Sequence, residues 1–173
     1  VLPAMQKAEA EAKSERATSI QQWWLHWRGR AELLQAIAGL PRYLACSRVT
    51  KRPLFGFISS HVRPGDALQV FALADDYSFG ILQSKPHYYW FHAKCSNMKS
   101  DPRYTSESVF HTFPWPQSPS AAQIDAVAKA GSNLRTLRAE ATKVSTGGLR
   151  ALYRSLDLPG KRSEERRVGK ECL

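Results

Sequence analysis

Apolar residues recur at helical spacing in both terminal regions of the chain and form short runs between them. Residues 8–27 are rich in Ala, Glu, Lys and Gln, which favours a helix. An apolar stripe there continues past Gly29 and ends at residues 39–41, where Gly and Pro stop a helix. The stripe consists of Ile20, Trp23, Trp24, Trp27, Leu33, Leu34 and Ile37. We expect the three Trp side chains to pack at the joint between a linker helix and the next domain.

Short apolar runs separated by basic and Pro/Gly-containing turns predict strands at residues 43–46, 55–58 and 68–72. Asp75 and Asp76 are placed to cap a helix through Gln83, and Ser84 is placed to cap the next one. Residues 97–105 have the composition of a polar loop, and residues 109–110 that of a closing strand. The buried face predicted for the second helix consists of Tyr88, Phe91, Cys95 and Met98.

The C-terminal third predicts two helices joined at Gly147 and Gly148. We therefore expect an α+β fold: a mixed, mostly antiparallel curved sheet with packed helices, preceded by a helical linker and followed by a C-terminal helical hairpin. The expected domains are a linker (residues 1–40), a recognition domain (41–117) and a helical domain (118–160). Residues 162–172 read RSEERRVGKEC, which matches one reading frame of a common sequencing adaptor, so residues 161–173 are interpreted as an adaptor-derived tail.

The chain is strongly basic, with a formal net charge of +10 and a pI near 9.8. An excess of this kind favours a polyanionic partner such as nucleic acid. No apolar run approaches the roughly 18 residues of a membrane span, so no membrane association is expected. The N-terminus has neither an initiator Met nor the features of a signal peptide. We expect a cytoplasmic piece of a longer protein, with Cys46, Cys95 and Cys172 reduced.

Catalytic chemistry is not recognisable in the sequence. There is no Gly-rich strand-to-helix turn for a nucleotide or S-adenosylmethionine, and no Asn-Pro-Pro-aromatic tetrad for amino-group methylation. A zinc site formed by His87, His92, Cys95 and Cys46 is a weak alternative, because the two His side chains lie roughly 140° apart on a helix. Packed core and surface residues are the preferred interpretation, so we expect no catalytic residue, metal or cofactor within this chain.

Two basic clusters carry the functional prediction. Arg48, Thr50, Lys51 and Arg52 combine cations and a hydroxyl at a strand end, which suits contacts to the DNA backbone. Lys99, Asp101 and Arg103 occupy alternate positions, so in an extended segment they project from one side. Lys and Arg donate to guanine, and a carboxylate accepts from cytosine N4. These three residues are therefore candidates for recognising bases, but a segment of this kind standing alone is more often a surface loop. The alternative for the first cluster is a solvated turn.

Four motifs together resemble a known recognition module. They are residues 41–49 (PRYLACSRV), 77–84 (YSFGILQS), 103–105 (RYT) and 113–116 (FPWP). In this order they resemble the target-recognition domain of MmeI-like type II restriction-modification enzymes and their methyltransferase relatives, over about residues 23–160. The resemblance implies a site-specific, adenine-specific DNA methyltransferase as the parent protein. Its methyltransferase domain would lie upstream and use S-adenosylmethionine, and double-stranded DNA would be the partner. The resemblance also implies that Lys99, Asp101 and Arg103 recognise bases, since the matching segment is a recognition loop in this family.

Two other classes of function remain open at the level of sequence. A basic chain of this size also suits an RNA-binding or ribosome-associated protein. The Trp-rich first helix would suit a protein-interaction module, since Trp is frequent at interfaces.

Overall fold

The computed structural model describes residues 30–98, 101–145 and 147–157. The helix predicted at residues 8–27, its three Trp residues, Lys99 and the adaptor-like tail lie outside these ranges. The chain divides into two compact units, residues 1–36 and 37–173. The predicted domain bounds at residues 40, 117 and 160 stay predictions.

A three-stranded antiparallel sheet follows the first described helix, α1 (Ala31–Ala38). Its strands are β1 (Arg42–Ser47), β2 (Gly56–Ser59) and β3 (Leu68–Phe71), in the order β2-β1-β3. Leu44 of β1 lies opposite Phe57 on one side and Phe71 on the other. The α+β class with an antiparallel sheet is therefore confirmed, and the three predicted strands exist with bounds shifted by one residue.

The connection between β2 and β3 crosses the sheet. Both strands run antiparallel to the central β1, so they are parallel to each other, and residues 60–67 must return along the length of β1. The buried Tyr43 of β1 anchors this crossing, because its hydroxyl donates to the Val62 carbonyl at 2.9 Å. Burial raises the pKa of the Tyr43 hydroxyl, which keeps it a donor.

Two capped helices come next, as the sequence predicts. Asp75 caps α2 (Asp76–Leu82) by accepting the Ser78 N–H, and Ser84 caps α3 (Lys85–Lys94) by accepting the His87 N–H. The buried face predicted for α3 is confirmed only at Phe91: the other fully buried residue is His87, and Tyr88 is half-buried. The periodicity of Tyr88, Phe91, Cys95 and Met98 cannot apply, because the helix ends at Lys94 and the backbone becomes extended at Cys95.

A β-hairpin and a π-helix replace the loop and strand predicted after α3. Strand β4 (Ser96–Met98) pairs antiparallel with β5 (Asp101–Arg103), so the extended backbone of this segment is hydrogen-bonded. Residues 109–110 belong to a π-helix (Ser106–Phe110), not to a strand. Two consecutive apolar residues are too short a pattern to specify a strand. Here the Trp90 indole N–H donates to the Val109 carbonyl at 3.1 Å. That carbonyl is therefore paired with a side chain and not with a neighbouring strand.

The core lies between the sheet, α2, α3 and the π-helix, and it is largely aromatic. Tyr104 is fully buried at its centre and stacks on Phe91, with ring centroids 5.7 Å apart and planes at 12°. The Tyr104 hydroxyl lies 3.0 Å from His87 Nε2 in a buried hydrogen bond. The cluster of buried residues comprises Leu44, Cys46, Phe55, Phe71, Phe79, Leu82, Phe91, Tyr104 and Val109.

The C-terminal helices are α4 (Ala121–Val144) and α5 (Gly148–Asp157). Ser120 and Gln123 form a reciprocal capping box at the start of α4. Gly148, with φ of 60°, makes the turn that the glycine pair predicts. Helix α4 packs on α2 where two glycines meet, since a Cβ on Gly131 would lie 2.8 Å from the Asp76 carbonyl oxygen. The two helices therefore approach more closely than side chains would allow.

Substituting Gly131 tests this close approach. Gly131→Ala should lower the free energy of unfolding by about 1–3 kcal/mol, because the added methyl meets backbone oxygen and forces the helices apart. Gly56→Ala is the matched control, since a Cβ there meets nothing within 4 Å. Urea unfolding of both variants measures the difference. Equal midpoints for Gly131→Ala and the wild type would contradict the packing described here.

His87 should make stability depend on pH. Burial lowers the pKa of its imidazole to about 4, against about 6.5 in an unfolded chain. Between these values the unfolded chain binds a proton that the folded chain does not, so stability falls as the pH falls from about 6.5 towards 4. The His87 contribution to this loss is about 2 kcal/mol between pH 7 and pH 5.

Denaturant unfolding of His87→Gln and His92→Gln at both pH values separates the buried from the exposed imidazole. His92→Gln is the matched control, because it removes an exposed imidazole from the same helix. His87→Gln should lose about 2 kcal/mol less than the wild type over the same interval. The assignment to His87 fails if its variant keeps the full wild-type dependence.

Candidate nucleic-acid interface

The structure brings the two predicted nucleic-acid segments together. Val49 forms an isolated antiparallel bridge with Arg103, so the end of β1 continues onto the hairpin. Two backbone hydrogen bonds flank the bridge: the Thr50 N–H donates to the Pro102 carbonyl at 3.0 Å, and the Tyr104 N–H donates to the Arg48 carbonyl at 2.7 Å. Segments about fifty residues apart in sequence thus form one continuous surface.

One side of this surface is defined by strand geometry. Directly opposed residues of an antiparallel pair project to the same side, so Val49, Arg103 and Ser96 share a face. Asp101 joins them because it is two residues from Arg103 on the same strand. Ser96 and Asp101 are exposed, and Val49 is 39% exposed. Asp101 and Arg103 are therefore on one side, as their alternation predicts, while Lys99 lies outside the described residues.

The side chain of Arg103 contains one N–H donor without a hydrogen-bond partner among the described residues. This side chain is half-buried, and the buried donor is its Nε. A buried donor left unpaired costs about 1–3 kcal/mol.

The second cluster divides into residues that build a turn and residues that face solvent. The Thr50 hydroxyl donates to the Arg52 carbonyl at 2.8 Å and accepts the Arg52 N–H at 3.1 Å. The Arg52 guanidinium lies 4.8 Å from the Tyr88 ring centroid and 5.6 Å from that of Tyr153. Thr50 and Arg52 therefore hold the turn, and they do so through contacts that the sequence does not predict.

Arg48 and Lys51 are the cations that this turn presents. Lys51 is exposed and Arg48 is half-exposed. In the described ranges neither makes an ion pair or a side-chain hydrogen bond. Both guanidinium and ammonium donors are thus open to an anionic partner.

The hairpin rests on residues that sequence reasoning did not assign to the site. Tyr104 directly follows Arg103, and its ring is held by Phe91 and its hydroxyl by His87. Val49 was overlooked because it is apolar, although its position between two polar residues in an exposed basic run is a usable signal. Nothing in the local sequence pairs His87 with Tyr104, since the bond spans 17 residues.

The described residues contain no group of three or more His, Cys, Asp or Glu placed to hold a metal ion. His87 is buried and bonded to Tyr104, whereas His92 is exposed, so the two imidazoles do not converge. Among the helices that the structure describes, none is long and apolar enough to cross a membrane.

Replacing Arg52 should lower the stability of the fold, whereas replacing its neighbour Lys51 should not. Arg52→Ala should lower stability by about 1 kcal/mol, because it removes cation–π contacts to two Tyr rings. Lys51→Ala should leave thermal unfolding unchanged, since its side chain is exposed and unpaired in the described region. Thermal and urea unfolding of the two variants side by side provides the measurement. Equal losses would remove the distinction between a turn-building and a presented cation.

Comparisons with known proteins agree on one relationship. Residues 29–117 match the family model described as MmeI, target recognition domain. A solved structure of the type IIL restriction-modification enzyme MmeI in complex with DNA is similar, with a TM-score of 0.71 and 22% sequence identity. At that identity the likeness establishes a shared fold.

The matched structure covers 99% of this chain, which spans only 22% of that protein's length. No curated protein matches the chain. The family match is extensive, because residues 29–117 are more than half of the 173 residues. The chain therefore belongs to the MmeI target-recognition-domain family.

Proposed function

We propose that this chain is the DNA sequence-recognition module of a site-specific adenine methyltransferase that belongs to a restriction-modification enzyme. The observation that carries the proposal is the bridge between Val49 and Arg103, which joins a cationic turn to a polar hairpin in one surface. Membership of the MmeI target-recognition-domain family supports it. So does the solved MmeI structure, which holds that protein in complex with DNA. Methyl transfer would belong to an upstream domain that uses S-adenosylmethionine.

Base recognition is assigned to Lys99, Asp101 and Arg103. Arg donates in a bidentate manner to guanine O6 and N7, Lys donates to the same atoms, and Asp accepts from cytosine N4. Asp101 is exposed and Arg103 is half-buried on the same side of β5, so both can approach a bound duplex. Exposed Val49, on the same face, offers an apolar contact of the kind that a thymine methyl group makes.

Contacts to the DNA backbone are assigned to the turn that ends β1. Arg48 and Lys51 donate to phosphate oxygens, and Thr50 and Arg52 hold the turn that presents them. Phosphate contacts position the protein on the duplex but carry little sequence information. Their loss should therefore weaken binding on every sequence, whereas loss of a hairpin contact should change the preferred site.

Selection from a pool of random duplexes tests base recognition by the hairpin. The wild type should select one short site. Lys99→Glu combined with Asp101→Arg should move one position from G·C towards C·G, because the donor and the acceptor exchange places. A good base contact is worth about 1–3 kcal/mol, which is a clear shift in such a selection.

Glu107→Arg is the matched control, because it makes the same change of charge as Asp101→Arg at an exposed residue of the π-helix. It should select the wild-type site. If the hairpin double variant also selects that site, these residues do not recognise bases. A wild type that selects no duplex site, or that binds structured RNA in preference, would overturn the proposed function.

A further inference from the structure

The exposed side of α3 carries three residues whose side chains make no hydrogen bond or ion pair within the described part of the chain, and whose ring contacts are to Tyr88 and Phe91 of the same helix. Lys85, Tyr89 and His92 are spaced four and three residues apart, so they form one stripe along the helix. All three are exposed, and the Tyr89 side chain is 64% exposed. We call these three residues the α3 stripe.

The orientation of the stripe follows from what the helix buries. His87 and Phe91 are fully buried on the opposite side, where they contact Tyr104. Rotating α3 to bury Tyr89 would expose both of them and break the His87–Tyr104 hydrogen bond. The burial of His87 and Phe91 therefore leaves the Tyr89 ring facing solvent.

The charge of α3 is of one sign. Its ten residues, KPHYYWFHAK, include two Lys and no carboxylate. Lys and Tyr side chains are among those that contact phosphate oxygens, and an imidazole N–H can donate to the same acceptor. The stripe therefore offers three donors and no acidic group that would repel an anion.

Two connections hold α3 against the hairpin. Helix α3 ends at Lys94, and after Cys95 the chain enters β4 directly. On the other strand of the hairpin, Tyr104 follows Arg103 and packs against Phe91 of α3. The helix and the proposed base-recognition face thus form one continuous element of the fold.

We propose that the α3 stripe is a second DNA-backbone contact, on phosphates that flank the bases recognised by the hairpin. The inference rests on the proposed function and adds a contact to it. Seven steps of 1.5 Å from Lys85 to His92 give the stripe a length of about 10 Å, over which one DNA strand advances about three nucleotides along the duplex axis. Duplex DNA is the partner that fits, because an unbroken line of negative charge complements a helix face without carboxylates.

The test compares Lys85→Gln with Lys129→Gln, which removes one charge from an exposed position of α4. Duplex affinity is measured from 50 to 200 mM salt on the selected site and on unrelated sequence. One lost phosphate contact lowers the salt slope by about 0.9, so the affinity change over this range should shrink about 3.5-fold for Lys85→Gln on both duplexes. Lys129→Gln should behave as the wild type.

Hydroxyl-radical footprints locate the contact. Lys85→Gln combined with Tyr89→Ala should lose protection at sugars beside the selected site, while the selected sequence itself stays the same. A slope and a footprint equal to those of the wild type would overturn the α3 contact and leave DNA recognition by the hairpin standing. A changed preferred sequence would also overturn it, because the stripe would then recognise bases. If the wild type binds no duplex, both proposals fail.

Discussion

Burial of Tyr104 is the constraint on which the rest of the structure depends. The residue directly follows β5, its N–H donates to the Arg48 carbonyl, and its ring stacks on Phe91. One residue therefore connects the hairpin, the end of β1 and helix α3, through its backbone N–H and its side chain. Its hydroxyl is paired with His87, and burial raises the Tyr104 pKa well above its usual value, so the hydroxyl keeps its proton. A polar pair of this kind is stabilising only while both partners are satisfied, which specifies a single position for the hairpin.

A second set of contacts attaches the helical hairpin to the sheet. Arg42 of β1 and Arg135 of α4 both pair with Asp76 at the start of α2, at 3.2 and 2.7 Å. Both guanidinium groups also lie over the Phe57 ring. Arg138 is 94% buried, and it donates to the Tyr153 hydroxyl of α5 and to the Phe55 carbonyl. Helices α4 and α5 are therefore tied to the segment that carries the cationic turn.

These contacts show that some of the basic residues have a structural role. Arg42, Arg52, Arg135 and Arg138 all lie against aromatic rings, so part of the basic character stabilises the fold. Arg48, Lys51 and Lys85 are at least partly exposed on the turn and on α3. Part of the positive charge of the chain is thus held in contacts within the fold, and another part is presented to solvent on the turn and on α3. This sorting requires coordinates, because Lys51 and Arg52 are adjacent in sequence and have different roles.

Local signals in the sequence determined the elements whose causes are local. The caps at Asp75, Ser84 and Ser120 and the turn at Gly148 were predictable, because each depends on residues within one turn of the chain. Alternating Asp101 and Arg103 likewise predicted a shared side in an extended segment. Only the tertiary structure decided that this segment is a strand, that His87 is buried in the core, and that residues 109–110 are helical. Those outcomes depend on the pairing of Val49 with Arg103, the His87–Tyr104 bond and the Trp90–Val109 bond. The partners in these contacts are 17 to 54 residues apart, so no periodicity within a short window records them.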